Sequence, residues 1–190
     1  TDPAAQAVRR EREAVQGAAT AHYYAPFSWM GRVSTAALAD TDWLARCVAR
    51  GDLLADGHLC ASARTRLSSG RALSGDDLKL KDELEASSRE PVHVATLVAD
   101  RYPDDPQQQI RIAITHFDGF GRTLQNKQRV ESGMACVVDA KGELTLADGK
   151  PKAQIAAVRW RVSERVEYNG KGWVVRVYRP YFADHHRHIN

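Results

Sequence analysis

Four consecutive residues, Asp118-Gly119-Phe120-Gly121, constrain this chain more than any other stretch. They lie inside Ile110 to Val130, IRIAITHFDGFGRTLQNKQRV, between two runs that read as strands. Two glycines provide positive-φ positions and the aspartate provides a side chain that bonds backbone N–H groups, so the stretch is predicted to be a tight hairpin. A related unit occurs near the end: Arg165 to Phe182, RVEYNGKGWVVRVYRPYF, places Tyr168 ahead of Asn169-Gly170-Lys171-Gly172 as Phe117 stands ahead of the first turn. The chain repeats one structural idea.

The segments around these turns also read as strands. Val92, Val94, Thr96 and Val98 alternate with His93, Ala95, Leu97 and Ala99, and Ile110, Ile112 and Ile114 share one face of the next run. The limb from Arg122 to Val130 is mostly polar, which predicts a sheet with one wet face. Short hairpins are expected around Ala140-Lys141-Gly142 and Asp148-Gly149. Val158, Trp160, Val162, Glu164 and Val166 alternate with charged residues as one continuous strand, and Trp173, Val175 and Val177 carry the last one. Pro180 marks an interruption of ladder bonding.

Between Ala36 and Arg89 the spacing becomes helical. Asp40 or Thr41 caps a helix that presents Trp43, Leu44, Cys47 and Val48 on one face, and Gly51 ends it. A second segment holds Leu59, Ala63 and Leu67. Ser74-Gly75-Asp76-Asp77 opens a third helix, roughly Asp76 to Ser88, with Leu73, Leu80 and Leu84 on one side and Lys79 placed to pair with Glu83. Pro91 closes it. The fold class predicted is therefore mainly β with a helical insert (α+β), the sheet being a meandering antiparallel one. The expected divisions are 1–35, partly disordered or of irregular strands; 36–90, the helical insert of two or three helices; and 91–190, the β region. In the first of these, Trp29-Met30-Gly31-Arg32-Val33 reads as a degraded copy of the turn motif.

Composition enters by exclusion. In 190 residues, 27 Lys and Arg are interleaved with 24 Asp and Glu, leaving a net charge of +3. Such a balance does not favour nucleic acid or an anionic membrane as partner. No apolar run approaches the ~20 residues that span a bilayer. Residues 1–16 have neither an uninterrupted apolar segment nor a cleavage site, so export is expected by a route other than a signal peptide. Cys47, Cys60 and Cys136 lack CxxC spacing and are read as free thiols, with a Cys47–Cys60 bridge conceivable only between helices packed side by side.

Candidate chemistry is sparse. His185-His186-Arg187-His188 is the most tempting metal cluster, but adjacent side chains of an extended segment point to opposite faces, so it reads as a polar loop edge. His93 and His116 read as structural histidines, and Asp104-Asp105 as an exposed turn. No GxSxG, Walker loop or HExxH is present in the sequence. Asp118 is better used on backbone N–H groups than as an acid. The expectation is no catalytic residues, no cofactor and no metal.

Phe117-Asp118-Gly119-Phe120-Gly121-Arg122 resembles the Tyr-Asp-x-x-Gly-Arg core of the Rhs (YD) repeat. The run HFDGFGRTLQNKQRVESG, with WRVSERVEYNGKGWVVRVYRPYF after it, is similar to the middle to C-terminal region of the B component of bacterial insecticidal toxin complexes, the Tc toxins. The resemblance is carried by Pro91 to Ile189 and extends over Asp40 to Glu90. Phe117 stands where the motif has Tyr, and the second copy has Lys171-Gly172-Trp173 in place of Gly-Arg. Its structural turn residues are Phe117, Asp118, Gly119, Gly121, Arg122, Tyr168, Asn169, Gly170 and Gly172. The resemblance implies a secreted structural segment of an Rhs-repeat shell that encapsulates and helps deliver a toxic effector. It also implies two partners: the C component, which supplies shell and enclosed toxin, and the pore-forming A component. No nucleic acid is implied, and no membrane insertion by this segment. A stand-alone carbohydrate-binding or adhesion module, stacking sugars on Trp29, Trp160 or Trp173, is the alternative. As an isolated fragment the chain is expected to be marginally stable or self-associating, because Pro91 to Phe182 has few fully apolar strands and its first and last strands would leave ladder groups unpaired.

Overall fold

The computed structural model of the protein describes residues 11, 13–69, 72–87, 89–139 and 142–190. The chain divides into two compact units, one formed by residues up to Ala25 together with Val92–Asn190, the other by Pro26–Pro91.

The first unit is built on an eight-stranded sheet. Its strands are β1 (Thr20–Ala25), β2 (Val92–Ala99), β3 (Ile110–Phe117), β4 (Thr123–Val130), β5 (Gly133–Cys136), β8 (Ala153–Ala156), β9 (Arg159–Ser163) and β12 (Tyr181–Ala183), in the order β1-β2-β3-β4-β9-β12-β5-β8. Two separate ribbons pair β6 (Leu146–Ala147) with β7 (Lys150–Pro151), and β10 (Val166–Tyr168) with β11 (Val174–Val177). The first four sheet strands form the expected antiparallel meander, but β12 runs parallel to β5 through Ala183 and Cys136, so the sheet is mixed.

Two expectations for this unit are corrected. Residues 20–25 are not irregular: all six pair with β2, from Thr20 with Val98 to Ala25 with His93. The run from Val158 to Val166 is not one strand, because Glu164 adopts φ 54° and turns the chain between β9 and β10. The polar limb of the opening hairpin has one buried face, and that face is polar. Gln125 and Lys127 of β4 are fully buried, on the same face as Ile110, Ile114 and His116 of β3.

A buried amide and ammonium need partners, since unpaired burial costs several kcal/mol. Here the C-terminal segment supplies them. Gln125 Nε2 donates to the Ile189 carbonyl at 2.7 Å and its Oε1 accepts from the Ile189 N–H at 3.2 Å. Lys127 Nζ donates to the carbonyls of His185, at 3.0 Å, and Arg187. Ile189 itself is buried with Val162 and Ala183. The other apolar cluster of the sheet joins Val15, Leu97 and Ile110.

The second unit holds four α-helices among its described residues, more than expected: α1 (Thr35–Ala39), α2 (Thr41–Ala49), α3 (Ala61–Leu67) and α4 (Gly75–Ala86). It begins ten residues earlier than the spacing suggests, and Trp29-Met30-Gly31 lies in and just after a 3-10 turn, not a hairpin. Asp40 caps α2 by accepting from the Trp43 N–H, and Ser74 with Asp77 forms a full capping box on α4. Trp43, Cys47, Leu53, Leu59, Ala63 and Leu80 make the core.

Lys79 and Glu83 do not pair along α4. Lys79 reaches Asp40 at 2.7 Å and lies over the Trp43 ring, while Glu83 accepts from Ser34 N and Oγ. A partner on a neighbouring element offers better geometry than the next turn of the same exposed helix. Asp52 and Asp77 are buried and share Arg66, each at 2.7 Å. All three cysteines are free thiols, Cys47 buried and the other two half-buried.

Candidate functional site

The turn residues singled out by the sequence lie in two loops of the same construction. In the first, the Asp118 N–H donates to the Arg122 carbonyl at 2.9 Å and the Gly121 N–H to the Asp118 carbonyl at 3.1 Å. In the second, the Asn169 N–H donates to the Trp173 carbonyl and the Gly172 N–H to the Asn169 carbonyl, both at 2.9 Å. The first side chain bonds back on itself in the same way in each. Asp118 Oδ1 accepts from the N–H groups of Phe120 and Arg122, and Asn169 Oδ1 from those of Lys171 and Trp173.

Each loop is also preceded by a register shift at its aromatic, so that Phe117 pairs with Thr123 and Tyr168 with Val174. Only the second glycine of each loop needs its freedom, Gly121 at φ 79° and Gly172 at φ 83°. Gly119 and Gly170 have negative φ and open space around them.

A third turn has the same backbone bonds, closing on Asp139, Gly142 and Glu143. The Asp139 N–H donates to the Glu143 carbonyl, the Gly142 N–H donates to the Asp139 carbonyl, and Asp139 Oδ1 accepts from the Glu143 N–H. Gly142 has φ 81°. The signal was present: an acid or amide, then glycine three positions on, recurs at 118/121, 139/142 and 169/172. Without a flanking aromatic it reads as an ordinary hairpin turn.

Arg122 joins the first two loops. Its guanidinium pairs with the Asp118 carboxylate at 2.6 Å and lies 4.2 Å from the Tyr168 ring centroid, while Tyr168 Oη donates to the Thr123 carbonyl at 3.2 Å. A stacked, bidentate-capable guanidinium suits such a junction better than an ammonium would. Burial pushes the Asp118 carboxyl up, but the Arg122 N–H and guanidinium and the Phe120 N–H outweigh it and hold it below its ordinary value. The carboxylate has its donors within its own loop, and the arrangement fixes shape. Phe120 and Trp173, at the tips, are exposed.

The remaining candidates are scattered. Of the tryptophans proposed to stack on sugars, Trp29 and Trp173 are exposed but Trp160 is buried. Asp105 accepts from Gln107 N and pairs with Arg101 at 3.2 Å, within a turn. His185 stacks on His186, which lies 5.9 Å from Trp160, whereas His188 goes elsewhere, against His116.

No protein-family model and no curated protein matches the chain. Solved structures do. Over 90% of its length it is similar to a chain of the TcdB2-TccC3-Cdc42 complex, with 37% identity and a TM-score of 0.76. It is similar also to TcdB2-TccC3 without its hypervariable C-terminal region, with 35% identity and a TM-score of 0.77. A third is the Photorhabdus luminescens Tc holotoxin pore carrying a TccC3 mutation, with 36% identity and a TM-score of 0.75. In each case the match spans 8% of the other chain. With its mostly β fold and paired glycine turns, the chain matches one part of a large Tc toxin protein.

Proposed function

We propose that this chain is a wall segment of the Rhs-repeat shell of an insecticidal toxin complex B component, and that it contributes containment and not catalysis. The observation that carries the reading is likeness at 35–37% identity to TcdB2-TccC3 chains over 90% of this chain. Physical features support it. Among the described strands, β1 and β8 end the sheet with one neighbouring strand each, so neighbouring repeats of a longer chain have ladders to continue. The ribbon of β10 and β11 carries Val174, Val175 and Val177, all exposed, which suits cover by further chain.

In this reading the partners are a C component with its enclosed effector and a pore-forming A component, and the assembly is secreted. Nucleic acid has no part in it, nor does this segment insert into a membrane. Among the described residues, no helix is long and apolar enough to cross one.

The test is a chimera in which this chain replaces the matching segment of TcdB2-TccC3. Limited proteolysis then reports whether the enclosed C-terminal region stays protected as in the parent. Protection equal to the parent is expected; cleavage at the rate of the exposed region would refute the wall assignment. The exposure of Trp173 favours a second reading, a carbohydrate-binding module. Tryptophan fluorescence titrated with sugars separates the two, and the wall assignment expects no saturable change.

A further inference from the structure

The fold brings together three histidines that are far apart in the sequence, in a row set by strand register. His93 of β2 pairs directly with His116 of β3, and His116 pairs with Gln125 of β4, so all three side chains share one face. The C-terminal segment crosses this row, with Ile189 bonded to Gln125 and His188 edge-on to His116. Ring centroids are 5.2 Å apart for His93 and His116 and 5.4 Å for His116 and His188, and the ligand nitrogens of the first pair lie within 4.8 Å of each other.

Each of these two separations suits a pair of imidazoles on one ion. With Zn–N bonds of about 2.0–2.1 Å, imidazoles on a tetrahedral centre stand with their ring centres about 5 Å apart, and the nitrogens close to roughly 3.3 Å by ring rotation. We propose that His93, His116 and His188 form a binding site for a borderline divalent transition ion of the Zn2+ class, which staples the C-terminal segment to the face of β2 and β3. Imidazole ligands select that class over Ca2+ or Mg2+.

The electrostatics act in both directions. Burial, then the nearby His116, pulls His188 down to about 4. Lys127 and Arg165 also face it and oppose a dication. The Lys127 charge is offset by the two carbonyls it binds, and Arg165 by the Asn190 carbonyl at 2.8 Å. His185 and His186 take no part. Their rings stack on one another, with His186 beside Trp160, which is why the adjacent histidines do not act as one cluster.

The test is calorimetric titration of the 190-residue chain with Zn2+, together with the visible absorption of the Co2+ form. One equivalent and a tetrahedral cobalt spectrum are expected. H93Q and H188Q should each weaken binding at least about tenfold, with far-UV circular dichroism confirming the fold, while the double variant H185Q/H186Q should bind like the parent. Absence of stoichiometric binding would overturn the proposal. So would loss of binding in H185Q/H186Q with retention in H93Q, since the tail alone would then be the chelator.

Discussion

Glycines 121, 142 and 172 occupy the same place in three like turns, yet an added methyl group meets different surroundings at each. At Gly121 nothing lies within 4 Å, so Gly121→Ala carries only the left-handed backbone cost, roughly 1–2 kcal/mol. At Gly172 the new Cβ would stand 2.6 Å from Arg122 Nη1, and the guanidinium held by Asp118 and stacked on Tyr168 must shift. At Gly142 it would stand 2.8 Å from the His188 carbonyl oxygen, which is backbone. Urea unfolding of the three alanine variants should rank the losses Gly142→Ala first, Gly172→Ala second and Gly121→Ala least. Asp77 gives the pH prediction of this scale. Its hydrogen bond from Arg66, followed by that from the Ser74 N–H, lowers it from 3.8 to about 2. A carboxyl lowered on folding contributes stability that is fully present above its unfolded value and disappears as pH falls through the folded one. The helical unit should therefore lose stability between about pH 4 and pH 2, and Asp77→Asn should flatten that limb in circular dichroism at stepped pH.

The break between β9 and β10 belongs to the scale of elements. Glu164 holds φ 54°, a conformation unfavourable to any residue with a Cβ. Glu164→Gly should be neutral to stabilising by up to about 1 kcal/mol in the same unfolding assay, because relief of strain offsets the greater freedom of the unfolded chain. The alternation of Val158 to Val166 gives no sign of this break, since a single left-handed residue leaves the pattern around it intact. What was legible rested on local chemistry: the Asp40 and Ser74 caps, the two aromatic-flanked turns, and the pairing of Val92–Ala99 with Ile110–Phe117. What was not legible depended on segments distant in sequence. Nothing in the sequence marks Gln125 and Lys127 as buried, because their partners are carbonyls some sixty residues away, at His185, Arg187 and Ile189. The parallel contact of β12 with β5 and the gathering of His93, His116 and His188 were hidden for the same reason.

At the scale of the molecule, the described sheet ends on two strands, β1 and β8. Among the described strands, β1 and β8 each have one neighbour in the sheet. Strands at the end of a sheet invite pairing with further chain. The chains it resembles are much longer, the match spanning 8% of them. The central claim is that this sheet is one panel of a continuous wall. Electron cryomicroscopy of the chimera carrying this chain in TcdB2-TccC3 measures that directly. The account predicts strands from the flanking chain hydrogen-bonded to both β1 and β8 around an enclosed cavity; a separate module projecting from the shell, with both edges left open, would contradict it.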